Sequence, residues 1–228
     1  MELKLLSAGA VQPGLAKVID AFQRENGHQI KVTFATAPAL RKRLDDGEPV
    51  DIVIAPPDGV DEVVNTGKSH ATDRSTVGRI GVGVTVRAGA SMPKIATVDE
   101  FKQSLLNAES VVYNQASTGL YLENLFERLG ISEQLKAKTT RYADFAAVRD
   151  HVSNGTGNEI GLGATTVIVE SASKGLKFVG PLPAEIQNYT TYAATITADG
   201  AARDAAMSLL RYLTSPKAKT ILAWAGIE

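Results

Sequence analysis

Cysteine is absent from this 228-residue chain, which excludes a disulfide framework, a thiol nucleophile and a cysteine-ligated metal. An excess of either charge is absent too: Lys+Arg 24 against Asp+Glu 25 leave a formal net charge of −1. Phosphate backbones are held by a concentrated basic field, so nucleic acid is excluded as a partner. No run approaches the ~18 uncharged apolar residues that a bilayer requires. The three histidines, His28, His70 and His151, lie in different segments and never in an HExxH spacing, so no metal is expected. P-loop and GxSxG motifs are missing, and no cofactor is expected. Gly155, Gly157 and Gly161 miss the dinucleotide fingerprint by one position and precede a strand, so they read as a turn.

What is present is alternation. Residues 3–7 form a short apolar strand. Leu15, Val18, Ile19 and Phe22 then repeat at helical spacing after Pro13, and Ile30, Val32 and Phe34 alternate as a second strand. Residues 50–55 (VDIVIA) are nearly all apolar, as expected for the buried centre of a parallel sheet. This βαβαβ order predicts a doubly wound open sheet. A second unit follows residues 79–87, with strands over 110–113, 138–141 and 159–163 and helices over 119–129 and 144–153. Thr97 to Glu100 make a capping box, and Ser215-Pro216 opens a last helix. The expected fold class is α/β, two doubly wound lobes: 1–84 with 191–228, and 85–190. No flexible linker divides them, which suggests extended strands hinged about a cleft.

In open α/β sheets ligands settle at the carboxyl ends of strands, near helix N-termini whose free N–H groups attract anions. Residues 7–10, 35–37 and 116–119 qualify. Each loop combines small residues (Gly9, Ala10, Ala37, Gly119), which admit a ligand to the backbone, with a hydroxyl from Ser7, Thr36, Ser117 or Thr118. Helix capping is the competing role for each hydroxyl. Arg79 is a candidate carboxylate clamp or a surface strand end. Arg41, Lys42 and Arg43 read as a solvated helix face and Asp58 as an N-cap. Trp224 reads as a packing residue, while Tyr113, Tyr121, Tyr189 and Tyr192 divide between core and cleft.

In their order and spacing, LKLLSAGAVQPGL, FQRENGHQIKVTFATAPALRKRL, GEPVDIVIAP, NQASTGLYLENLFERLGI, EIGLGATTVI, FVGPLPAEIQ and YLTSPKAKTILAWAGIE resemble one family. It is the bacterial extracellular solute-binding proteins of the molybdate-binding (ModA-like) type. The resemblance implies a type II periplasmic-binding fold, hinge strands near 82–87 and 190–195, and one ligand closed between the lobes. It also implies a small anion or carboxylate as ligand, an ABC transporter membrane subunit as partner, and a monomer. Molybdate binders carry serines where this chain has Ala10 and Ala37, and a tyrosine where it has Ala164. Each missing donor would cost a buried oxyanion about 1–3 kcal/mol, so molybdate is not the expected ligand. An aconitate isomerase resembles the same family. The alternative is therefore an isomerase that shifts a proton on a small unsaturated di- or tricarboxylate, drawing on Arg79, Arg41, Tyr113 and His151. The chain opens Met1-Glu2-Leu3-Lys4 without a secretory signal. A periplasmic site is expected if a signal has been trimmed, and a cytoplasmic one if Met1 is the native start.

Overall fold

A computed structural model describes residues 2–70, 72–198 and 200–228; Met1, on which the reading of the chain start rests, lies outside them. The chain divides into two compact units, Met1–Ile80 with Thr191–Glu228, and Gly81–Thr190. It leaves the first unit within strand β4 (Arg74–Arg87) and returns to it within β9 (Tyr189–Ile196).

In unit 1 the strands β1 (Glu2–Ala8), β2 (Gln29–Ala35) and β3 (Ile52–Ala55) join β9 in the order β2-β1-β3-β9. β1 is parallel to β2 and β3, and β9 runs antiparallel against β3. All four residues of β3 are buried, as its apolar run requires of a strand with neighbours on both sides. Helix α1 (Gln12–Asn26) turns Leu15, Val18, Ile19 and Phe22 inward. Each such side chain contributes roughly 1.5–3 kcal/mol on leaving water. α2 (Ala37–Asp45) and α3 (Pro57–Asn65) follow β2 and β3. α9 (Gly200–Leu213) and α10 (Pro216–Trp224) close the unit. Trp224, expected to pack, is instead 85% exposed, because α10 buries Ala218 and Leu222 and leaves the indole on its outer face.

Unit 2 is ordered β6-β5-β7-β4, with β8 (Leu176–Pro181) on the far side of β4. β5 (Ser110–Asn114) lies parallel to both β6 (Thr139–Tyr142) and β7 (Glu159–Ala164), while β4 is antiparallel to β7 and β8. Val82, Val84 and Val86 of β4 pack with Phe101 and Leu105 of α4 (Val98–Asn107) and Leu122 and Leu125 of α5 (Ser117–Arg128). α6 (Ser132–Lys136), α7 (Phe145–Asn154) and α8 (Thr165–Glu170) complete the unit. An irregular segment over 155–158, bent at Gly157, feeds β7 where the glycine spacing suggested a turn. Asp58 is a first-turn residue of α3 rather than its N-cap, a position held by Pro56.

Candidate functional site

Parallel pairing gathers the expected loops at the carboxyl edge of each sheet. In unit 1, β1 and β2 finish together at Ala8↔Ala35, which sets Gly9 and Ala10 beside Ala35, Thr36 and Ala37. Pro13 and Pro38 sit in the first turns of α1 and α2, where a missing N–H costs nothing. Thr36 is the N-cap of α2, yet its side chain makes no capping hydrogen bond. Ser7 is not a loop residue: it lies fully buried in β1, and its hydroxyl donates to the Ala8 carbonyl at 3.3 Å. Arg79 does clamp a carboxylate, one of its own chain. Its Nε and Nη2 donate to Glu228 Oε2 at 3.2 and 2.9 Å, and the two residues exchange backbone hydrogen bonds at 2.7 and 3.0 Å. Arg41 is an exposed helix residue paired with Glu62 at 2.7 Å.

In unit 2 the pairing of β5 with β7 brings Asn114 and Ala164 to one edge, where α5 and α8 begin. The N-caps of these helices, Ala116 and Ala164, have no side-chain oxygen to offer. The turn into α5 is so tight that a Cβ on Gly119 would stand 1.8 Å from the Asn114 carbonyl oxygen, so only glycine fits. Thr118 is 8% exposed. The hydroxyls of Thr36, Ser117 and Thr118 have no hydrogen-bond partner among the described residues. Helices α4, α7 and α10 differ. Thr97 accepts from Glu100 N at 3.2 Å, Asp144 from Ala147 N at 3.0 Å and Ser215 from Ala218 N at 3.2 Å. The starts of α2, α5 and α8 therefore keep their positive dipole ends uncapped, an arrangement that favours a bound anion by about 0.3–1 kcal/mol per helix.

Beneath the α5 turn, Tyr113 stacks edge-on against Phe126, with ring centroids 5.9 Å apart. Burial, and secondarily the Glu123 carboxylate, push its phenol up to about 12, against the opposing pull of Arg141. Arg141 pairs with Glu123 at 2.5 Å and lies 6.0 Å from the Tyr113 ring centroid. His151 is remote from this edge. Its Nδ1 and Nε2 meet the Tyr142 hydroxyl at 2.9 Å and the Ser110 hydroxyl at 3.2 Å, and Ser110 opens β5 at the opposite, amino end. Of the four tyrosines, Tyr113 and Tyr192 are buried, Tyr121 donates to the Ile186 carbonyl at 2.6 Å, and Tyr189 is exposed. One cavity in each unit also lies at the amino edge: about 420 Å³ beside Val50 and Ala198, and about 570 Å³ beside Arg87 and Asn158. Asn114 escaped the sequence reading. Its only signal was a polar residue closing the apolar run of β5, yet its Oδ1 is buried without a partner.

The family profile described as bacterial extracellular solute-binding protein matches residues 3–228. An aconitate isomerase from Pseudomonas sp is 30% identical over 99% of this chain and 87% of its own length. The molybdate-binding protein ModA of Escherichia coli (strain K12) is 24% identical, over 96% of this chain and 86% of its own. Among solved structures, the periplasmic molybdate-binding protein of Azotobacter vinelandii superposes with a TM-score of 0.81 at 18% identity, covering 99% of this chain and 98% of that one. Two α/β units, helix starts at the carboxyl edges of their strands and a match along nearly every residue agree: the chain belongs to the family of bacterial extracellular solute-binding proteins.

Proposed function

We propose that this protein captures a small anion or carboxylate metabolite in the periplasm and delivers it, as a monomer, to an ABC transporter. The observation that carries the reading is the set of uncapped helix starts at α2, α5 and α8, with the unpartnered hydroxyls of Thr36, Ser117 and Thr118. Oriented N–H groups and hydroxyls satisfy an anion without a fixed counter-charge, which suits a chain of net charge −1. Ala10, Ala37 and Ala164 take the places of molybdate-site donors, and this favours a carboxylate over molybdate. A thermal-shift panel of molybdate, tungstate, sulfate, phosphate, citrate and both aconitates tests the reading. A ligand at 100 times its Kd should add about 2.7 kcal/mol, which raises Tm by roughly 5–10 °C. Silence across the panel refutes it.

The 30% identical aconitate isomerase favours a second reading, a proton shift on a small unsaturated carboxylate. It requires a base. The segments 7–10, 35–37, 114–119 and 164–165 contain no carboxylate or imidazole, and Tyr113 holds its proton at neutral pH. Proton NMR of cis- and trans-aconitate incubated with the protein decides: interconversion supports the isomerase, and unchanged spectra remove it.

A further inference from the structure

We propose that Asn114 makes the site selective for carboxylates that carry a hydroxyl group. The inference rests on the carboxylate reading above and adds to it the chemistry of the ligand. Successive residues of β5 alternate between faces: Tyr113 packs on Phe126 of α5, whereas Val112 packs with Val148 and Val152 of α7. Asn114 therefore shares the α7 face, at the edge where the strand ends and α5 begins. Its backbone carbonyl is fixed against Gly119, so the residue has little freedom to withdraw. Its Oδ1 is buried and has no partner, and Thr118, four residues on and nine-tenths buried, holds an unpartnered hydroxyl.

A buried acceptor left unpaired is costly, and an amide oxygen can only accept. Molybdate, tungstate, sulfate and fully ionised polycarboxylates without a hydroxyl bring acceptors alone, so they suit the N–H groups and hydroxyls but leave Asn114 unmet. A hydroxycarboxylate brings both: carboxylate oxygens for the helix starts and one O–H for Oδ1. A site built to pair a ligand hydroxyl discriminates strongly against the analogue that lacks it.

Two matched pairs test this, because each differs by a single hydroxyl: citrate against tricarballylate, and malate against succinate. Titration calorimetry on the native protein should show the hydroxylated member of at least one pair binding tenfold or more tightly. Asn114→Leu should reduce that ratio to about one while binding of the member without a hydroxyl persists. Equal affinities within both pairs in the native protein overturn the role of Asn114 but leave the carboxylate reading standing. Tighter binding of tricarballylate or succinate overturns it as well, since the amide nitrogen would then face the ligand. No binding by any of the four overturns the role of Asn114, and the carboxylate reading falls with it when both aconitates are silent as well. Because the native ratios need no variant, a misfolded Asn114→Leu would not rescue the proposal.

Discussion

The two carboxyl edges are built from the same parts and are finished differently. The edge of unit 1 is sparse: one unpartnered hydroxyl at Thr36, methyl groups at Ala10 and Ala37, Ser7 turned into its strand, and Arg79 held by Glu228. The edge of unit 2 is dense, with hydroxyls at Ser117 and Thr118, a buried amide oxygen at Asn114, and a turn that admits no Cβ at Gly119. An uncapped helix start attracts any anion, whereas a fixed acceptor and a tight turn reject most of them. Under the proposed reading, uncapped helix starts attract an anion in either unit, and discrimination falls to unit 2.

The paired glycines should separate the edges most widely. Gly119→Ala forces a methyl into the Asn114 carbonyl and should cost about 4 kcal/mol, lowering Tm by roughly 10 °C. At Gly9 the same methyl meets only the Ala35 carbonyl oxygen at 3.7 Å, an ordinary contact, so Gly9→Ala should stay within about 0.5 kcal/mol. Equal melts for the two variants would erase the contrast.

Next in size is the alkaline limb of stability. Tyr113 titrates near 12 in the folded chain against 10.0 for a free phenol. Both states hold the proton below pH 10. Between pH 10 and 12 only the unfolded state releases it, so stability falls with rising pH by up to about 2.7 kcal/mol. Tyr113→Phe should flatten that part of a denaturation-versus-pH curve, and an unchanged slope would refute the assignment.

Ligand affinity should respond more modestly. Thr118→Ala is expected to weaken binding of the best panel ligand about tenfold, and Thr36→Ala to weaken it less, both with native melts. A larger loss at Thr36 reverses the assignment of discrimination to unit 2. Arg79→Gln should do least: an exposed pair contributes at most about 1 kcal/mol, and affinity should hold. A tenfold loss of affinity there would restore Arg79 as a ligand clamp.

The elements were legible where the physics is local. VDIVIA announces a buried strand, Thr97 with Glu100 a helix start, and Ser215-Pro216 another; each forms where its pattern stands. The small-residue loops could be placed at strand ends for the same reason. What escaped depends on distant partners. Nothing within five residues of His151 announces Ser110, 41 positions away, as the partner of its Nε2. Likewise, the burial of the Ser7 side chain depends on the strands on either side of β1, and the tether on Arg79 comes from Glu228, 149 positions on. Asn114 is the limiting case: its lack of a partner is a property of everything packed around it.

Trp224 is the only tryptophan in the chain, and it stands in water in the native state. Its indole emission should already lie at the long-wavelength limit before any denaturant is added. Unfolding then changes its surroundings little, and the protein should melt almost without a tryptophan signal while circular dichroism reports the transition. The same exposure makes Trp224 a ready sensor of its own surface. Iodide should quench it freely in the native protein, and any molecule that covers the end of α10 should shield it.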